Sequence, residues 1–432
     1  MIDTTTQLQE RVLLVELERH GRDRWQASDS LDELAELARS AGAVIVDRAT
    51  QKLADPTPAH FIGRGKAEEL AAKYVSGVSD AERVTSVVFD DDLSPAQAGN
   101  LQEIFGCKVL DRTELILDIF AQRARTREGK LQIELAQLQY MLPRLTRLWT
   151  HLSRQYGGIG SRGPGETQLE VDRRRIEERI RRLRAEIAEV RKHRAVMRSG
   201  RRRHEWPIVA IIGYTNAGKS TLLNALTDAH VAAENKLFAT LDPTTRRLRL
   251  ANNRNVLLTD TVGFLRRLPH HLVDSFYATL DEVVEADVLI HVVDASHPQV
   301  FDQIAAVNQV LQELKAGEKS TVTALNKTDR VENSTLLDRL SRETPNAVAI
   351  SALKKTGFDV LLSELSIQLT PKHEFVRLAI PTHQTALVAR VHRDGQVLQK
   401  KFVDGCCELD AKVPPSMLAE LQPYRRDDGA GR

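Results

Sequence analysis

Cysteine is scarce: Cys107, Cys406 and Cys407 are the only three in 432 residues. Two are adjacent and none stands at metal-ligand spacing, so neither a disulfide framework nor a thiolate metal site is expected; buried thiols in a reducing compartment are. Net charge is also small, with 61 Lys and Arg against 59 Asp and Glu, so any attraction to a polyanion must be local. No apolar run approaches the ~20 residues of a membrane span. The amino-terminal stretch lacks the charged-then-apolar layout of a secretion signal. These absences suggest a cytoplasmic protein without a transmembrane segment, long enough for two to four domains.

The most informative stretch is residues 208–226. An apolar run from Ile208 to Ile212 meets Gly213-Tyr214-Thr215-Asn216-Ala217-Gly218-Lys219-Ser220. This is the G-x-x-x-x-G-K-[ST] pattern of a phosphate-binding loop, between a predicted strand and helix. Gly213 and Gly218 let backbone N–H groups turn around phosphate oxygens. Lys219 brings a point charge and Ser220 a hydroxyl for Mg²⁺, while the following helix presents its positive end. Asp260-Thr261-Val262-Gly263 follows a second apolar run; Asp260 can reach Mg²⁺ through water and Gly263 can give its N–H to a γ-phosphate. Asn326-Lys327-Thr328-Asp329 closes a third run. The Asp329 carboxylate suits the paired donors of guanine, a pairing adenine cannot make. Ser351-Ala352-Leu353 ends a fourth run, placed for a backbone contact to the guanine carbonyl. All four stations lie at strand carboxyl ends, where open α/β sheets bind ligands.

Residues 1–112 alternate strand and helix patterns, with strands at 11–17, 43–46 and 84–89 and helices at 31–38, 66–74 and 94–105, as in a small α/β domain. Phe61 to Lys66 reads as a structural turn into a helix and Asp90 to Asp92 as a solvated turn. Residues 113–204 have another texture. Leu131, Leu135, Leu138, Leu142 and Leu145 form a heptad seam, interrupted at Pro143, and Ile176, Ile180, Leu183, Ile187 and Val190 form a second. Two such helices make an antiparallel hairpin, the second predicted over 169–198. Its joining segment is glycine-rich: Gly157, Gly158, Gly160, Arg162, Gly163 and Gly165. By composition this is a flexible turn or a probe whose bare backbone approaches a ligand. From Val171 to Arg203 there are fourteen Lys and Arg against five Asp and Glu. That surplus suits a nucleic-acid backbone, or alternatively an acidic protein.

Residues 205–371 read as the nucleotide domain and 372–432 as a small α/β domain. In Phe238-Ala239-Thr240-Leu241-Asp242-Pro243-Thr244-Thr245, Thr240 is the candidate to complete the Mg²⁺ shell and report the γ-phosphate; Thr244 and Thr245 are its rivals. Lys219, Thr240, Asp260 and Gly263 are therefore the catalytic candidates. Position 264 is Phe, which cannot orient a water as glutamine would, so slow unaided turnover and acceleration by a partner are expected.

The four stations resemble the translation-factor-related branch of P-loop GTPases. The run from Gly163 through Glu170 to Arg173 and Arg174, with Phe238 to Arg246, resembles the HflX family over nearly the whole chain. The resemblance implies a P-loop GTPase domain, with a mostly parallel sheet and helices on both faces, between the α/β domain with its hairpin and the C-terminal domain. It implies that residues 213–220, 238–242, 260–263, 326–329 and 351–353 hold GTP or GDP, with Ser220 and Thr240 on Mg²⁺. It further implies a monomer that binds the large ribosomal subunit and splits or rescues stalled ribosomes under heat stress. The glycine-rich tip, Arg173 and Arg174 would meet ribosomal RNA near the peptidyl-transferase centre. The alternative is a GTP-gated ribosome-assembly factor or RNA chaperone. ATP use by the N-terminal domain stays open.

Overall fold

A computed structural model describes residues 9–19, 24–79, 82–148, 164–202, 206–227, 237–238, 240–250, 254–266, 280–331, 334–369, 374–403 and 405–426. The chain forms two units, Met1–Leu362 and Ser363–Arg432.

In the first unit, β1 (Arg11–Arg19), β2 (Val44–Leu53), β3 (Ser86–Phe89) and β4 (Lys108–Asp111) form a parallel sheet in the order β2-β1-β3-β4. Period-two alternation sends Val12 and Leu14 of β1 into one core and Leu13, Val15 and Leu17 into another. Helices Arg24–Ser40 and Arg112–Arg123 feed the first core; Arg64–Ala71 and Pro95–Phe105 feed the second. The Pro95–Phe105 helix starts on a Ser94/Gln97 capping box and stops at left-handed Gly106. The turn before Arg64 is structural as expected: Gly63 N–H donates to Gln51 Oε1 at 2.7 Å. Asp90 corrects an expectation. It is buried, not solvated, and accepts from Ser30 Oγ and Arg112 Nη1, each at 2.7 Å.

Helix Arg127–Leu148 runs through Pro143, and its partner runs from Pro164 to Arg202, 39 residues or about 58 Å. Both seams meet as read: Leu131, Leu135, Leu138 and Leu142 pack with Ile176, Ile180, Leu183, Ile187 and Val190. Arg179 clamps Glu134 with two bonds of 2.7 and 2.9 Å. Gly165 lies in the first turn of the second helix, not in a loop. Proline two positions into the stretch Gly163-Pro164-Gly165 suits a helix start, where its missing N–H costs nothing. Gly157, Gly158, Gly160, Arg162 and Gly163 lie outside the described residues.

The second sheet of this unit has the order β10-β9-β8-β5-β7-β6, from β5 (Ile208–Gly213), β6 (Thr244–Arg249), β7 (Asn255–Asp260), β8 (Val288–Asp294), β9 (Thr321–Asn326) and β10 (Ala347–Ala349). All neighbours are parallel except β6 with β7. Thr244 and Thr245 belong to β6, and Thr245 Oγ1 bonds Thr259 Oγ1 at 3.0 Å. Of the three threonines, Thr240 is the one whose hydroxyl lies 2.8 Å from Ser220 Oγ, while Thr244 pairs with Asp260 in the ladder.

His291 sits buried in β8, and burial, helped by the Lys219 charge, pushes its imidazole down to about 4. The native state therefore refuses a proton that the unfolded chain accepts below about 6.5. Stability is complete above that pH and is lost as pH falls toward 4, by roughly 3 kcal/mol. Replacing His291 with Leu is expected to flatten this slope, measured on the unfolding transition that GDP shifts.

In the second unit, β11 (Glu374–Pro381), β13 (Cys406–Val413) and β12 (Gln396–Val403) form an antiparallel sheet with β13 in the centre. Helices Thr385–Asp394 and Pro415–Leu421 contribute Val391, Met417 and Leu421 to its core. Among the described residues no helix is long and apolar enough to cross a membrane.

Candidate nucleotide site

The loop after β5 is shaped by two glycines that nothing else could replace. Gly213 has φ +148°, and a Cβ there would stand 2.2 Å from Val292 O. Gly218 has φ +98°, and its Cβ would stand 2.3 Å from Asn326 Nδ2. That closeness has a purpose: Asn326 Nδ2 donates to Ala217 O at 2.8 Å, and its Oδ1 accepts from Ala352 N–H at 2.9 Å. Asn326 thus braces the phosphate loop against the Ser351-Ala352 turn.

Lys219 opens helix Lys219–Thr227, buried, with Nζ donating to Tyr214 O at 2.8 Å. Burial pushes its ammonium down to about 8. Ser220 Oγ donates to Asp260 Oδ2 at 2.6 Å and lies 2.8 Å from Thr240 Oγ1. Burial pushes the Asp260 carboxyl up, and its Oδ1 has no hydrogen-bond partner among the described residues. Two hydroxyls and one carboxylate with a spare buried oxygen fit Mg²⁺, which takes few protein oxygens and completes its shell with phosphates and water. Among the described residues no group of three or more His, Cys, Asp or Glu forms a metal cluster.

Gly263 faces the same point. A Cβ on it would come within 2.7 Å of Thr215 Cγ2 and 2.9 Å of Lys219 Nζ. Phe264 is turned away: its ring is buried, its N–H donates to Gly213 O at 3.1 Å and its carbonyl accepts from Thr215 N–H at 2.9 Å. Val262 is buried, and Thr261 Oγ1 donates to Ile211 O at 2.6 Å.

At the base end, Asp329 Oδ1 accepts from Ser351 Oγ at 2.5 Å, which with minor help from nearby cations holds the carboxyl below its usual range. Lys327 takes a left-handed conformation and pairs with Asp294 at 2.6 Å. Thr328 Oγ1 donates to Ile350 O at 2.9 Å. Ala352 is buried and Leu353 exposed.

Several residues read as nucleotide contacts point elsewhere. Tyr214 hydroxyl lies 3.0 Å from both Glu33 carboxylate oxygens and accepts from Arg266 N–H at 3.0 Å. Phe238 and Leu241 are buried, and the Phe238 ring meets Phe120 edge-on at 4.6 Å. Leu237 N–H donates to Ser40 Oγ at 3.1 Å. Asp242 Oδ2 accepts from the N–H groups of Arg125 and Thr126, each at 2.9 Å, and Oδ1 from Thr126 Oγ1. Thr126 in turn caps Gly129 N–H at the start of the first hairpin helix. The loop bearing Thr240 is therefore pinned on both sides to the N-terminal domain and the hairpin root. Ala239 lies outside the described residues. Sequence reasoning missed Glu33, Arg112, Ser40 and Thr126; only the helix-start pattern at Thr126 gave any local signal.

Removing the Asp242 anchor leaves three donors without their charged acceptor and frees one side of the Thr240 loop. Asp242→Ala is expected to slow GTP turnover about tenfold while GDP affinity holds, an estimate based on one or two kcal/mol of lost positioning. Single-turnover hydrolysis beside GDP titration measures both.

Residues 28–121 match the family described as GTP-binding GTPase N-terminal, residues 123–201 the GTP-binding GTPase Middle Region, and residues 208–327 the 50S ribosome-binding GTPase. GTPase HflX of Lacrimispora saccharolytica is 45% identical over 415 residues, 96% of each chain. The chain belongs to the HflX family of GTPases. Escherichia coli GTPase HflX is also 45% identical, over 89% of this chain and 90% of its own. A solved GTP-binding protein of Sulfolobus solfataricus in complex with GDP is 25% identical, with a TM-score of 0.46 over 83% of this chain and 98% of that one.

As a member of the HflX family the chain hydrolyses GTP to GDP and phosphate. Water attacks the γ-phosphorus in line with the leaving GDP, and catalysis is mostly positioning and charge neutralisation. Ser220 and Thr240, with Asp260 behind them, would hold Mg²⁺, which would offset phosphate charge. The chain supplies the rest: a buried ammonium and a loop fixed from outside.

Proposed function

We propose that this GTPase binds the large ribosomal subunit in its GTP state and splits or rescues stalled ribosomes, with hydrolysis driving release. The observation that carries this reading is the second hairpin helix. Its seam is buried against the first helix, while Arg173, Arg174, Arg175, Arg181, Arg182 and Arg184 are exposed along it. Such a row suits phosphates spaced along an RNA strand, and the matched domain's description names the 50S ribosome. Gly157, Gly158, Gly160, Arg162, Gly163 and Gly165 precede this row and serve as its RNA-contacting tip. In the nucleotide site, residues 213–220 hold the phosphates, Ser220 and Thr240 ligate Mg²⁺ with Asp260 behind them, Gly263 senses the γ-phosphate, and Asp329 with residues 351–353 reads guanine. Loss of the γ-phosphate releases the Thr240 loop. The protein acts as a cytoplasmic monomer.

The test is sedimentation of intact ribosomes with the protein and GTP. Free subunits are expected, with the protein on the large one. Charge reversal at Arg181, Arg182 and Arg184 should weaken that binding and reduce its salt slope by about three, as three lost phosphate contacts require. Binding that survives ribonuclease unchanged would instead indicate an acidic protein partner. Subunit binding without splitting would favour the assembly role.

A further inference from the structure

Phe264 leaves a gap in the hydrolytic site. Its ring is in the core, and its backbone is tied by two hydrogen bonds to Gly213 and Thr215. No rotation of that side chain brings a polar group to the γ-phosphate. Some other group must hold the attacking water, or nothing in the chain does.

Besides Asp260 Oδ1, which is given over to Mg²⁺, Thr215 carries an unpartnered polar atom here. Thr215 is 6% exposed, and its buried Oγ1 has no hydrogen-bond partner among the described residues. A buried hydroxyl left unpaired costs about 1–3 kcal/mol, so it is expected where a ligand supplies the partner. The surroundings say which part of the ligand that is. Thr215 Cγ2 lies within 2.7 Å of where a Gly263 Cβ would be, and Lys219 Nζ lies within 2.9 Å of the same position. Gly263 and Lys219 are the two groups that the proposed function assigns to the terminal phosphate, so on that reading Thr215 stands beside both, its methyl toward Gly263. The Thr215 N–H is already used by Phe264 O at 2.9 Å. That bond fixes the Thr215 backbone and leaves the hydroxyl as its free donor and acceptor.

We infer that the Thr215 hydroxyl positions the attacking water, in the role that the residue at 264 cannot perform. It accepts a hydrogen bond from that water and donates its own proton in a hydrogen bond to a γ-phosphate oxygen. In the step, the water oxygen forms a bond to the γ-phosphorus as the bond from that phosphorus to the β,γ-bridging oxygen breaks. The electron pair leaves on the bridging oxygen as GDP. One water proton stays on the new phosphate and the other goes to solvent. Thr215 keeps its own proton throughout, so it is a positioning group and not a general base.

Thr215→Val keeps the shape and the methyl contact at Gly263 and removes only the hydroxyl. Thr215→Ser keeps the hydroxyl. Full-length proteins are compared for saturating GTP turnover, GDP affinity, and affinity for GDP with aluminium fluoride as transition-state mimic. For the valine variant, turnover should fall on the order of 100-fold, the usual effect of removing one transition-state hydrogen bond. Affinity for the mimic should fall in parallel, while GDP affinity stays within about threefold. The serine variant should keep turnover within about threefold. Turnover of the valine variant within threefold of the parent overturns the inference. So does a loss of GDP affinity matching the loss of turnover in both Thr215→Val and Thr215→Ala, because the residue would then only shape the loop.

Discussion

Asp329→Ala is expected to weaken GTP and GDP binding alike by about 10³-fold. The carboxylate is fixed by Ser351 Oγ at 2.5 Å and stays ionised well below neutral pH. It is therefore an acceptor only, matched to a base edge with two adjacent donors. Hydrogen bonds to a charged group are worth about 1.5–3 kcal/mol each. Two of them, less what water recovers, leave about 4 kcal/mol, or 10³ in affinity. Equal losses for di- and triphosphate would place the effect at the base and not at the phosphates. Ser351→Ala should weaken binding only severalfold, since it frees the carboxylate's orientation but leaves its charge. Competition against a fluorescent GDP analogue reads all of these, and an Asp329→Ala affinity within tenfold of the parent would rule out this carboxylate as the guanine reader.

Arg112→Leu is expected to destabilise the protein by about 3–5 kcal/mol. The guanidinium is 4% exposed, with Nη2 at 2.5 Å from Glu33 Oε1 and Nη1 at 2.7 Å from Asp90 Oδ1. Burial alone would disfavour its charge, but the two carboxylates outweigh that and hold its affinity for the proton above the usual value. Taking the cation away removes a charge partner from Asp90, whose side chain is fully buried and keeps its bond from Ser30, and from Glu33, which keeps the Tyr214 hydroxyl and Arg266 at 3.7 Å. The loss comes from uncompensated buried charge, so Arg112→Leu combined with Asp90→Leu should recover part of it. Urea unfolding of the single and double variants checks this: additive losses would mean that the pair is not coupled.

Long, strongly patterned elements were legible. The β5 strand follows from its apolar run Ile208 to Ile212, and the leucine and isoleucine seams of the hairpin identify their partners, because heptad spacing and fully buried runs are local properties. The glycines of the phosphate loop were legible for the same reason. The four-residue β4 and the half-exposed β6 carry little alternation and are not anticipated. Strand β13 is not anticipated either, although it alternates Cys407, Leu409, Ala411 and Val413 with Glu408, Asp410 and Lys412, a period of two that is legible in the sequence. Among the site residues, the side-chain directions that the sequence hides share one cause. Tyr214, Phe238 and Asp242 stand inside nucleotide motifs, but a motif says which loop a residue belongs to and not which side it faces. Their partners lie far away in sequence: Asp242 and Thr126 are separated by 116 residues, Tyr214 and Glu33 by 181. Asp90 was read as wet for a similar reason. Nothing near it in the chain announces an arginine 22 positions later that buries it.

The Asp242 anchor also has a mechanical side. It grips the end of a 22-residue rod, Arg127–Leu148, about 33 Å long. The rod is also tied near its other extremity, where Arg144 Nη2 donates to Leu93 O at 2.9 Å and to Asp111 Oδ2 at 2.8 Å. A rod secured at both places does not swing; it works as a strut. A push at the Asp242 grip therefore arrives, undamped by any loose joint along the helix, at the edge strand of the four-stranded sheet that carries Asp111.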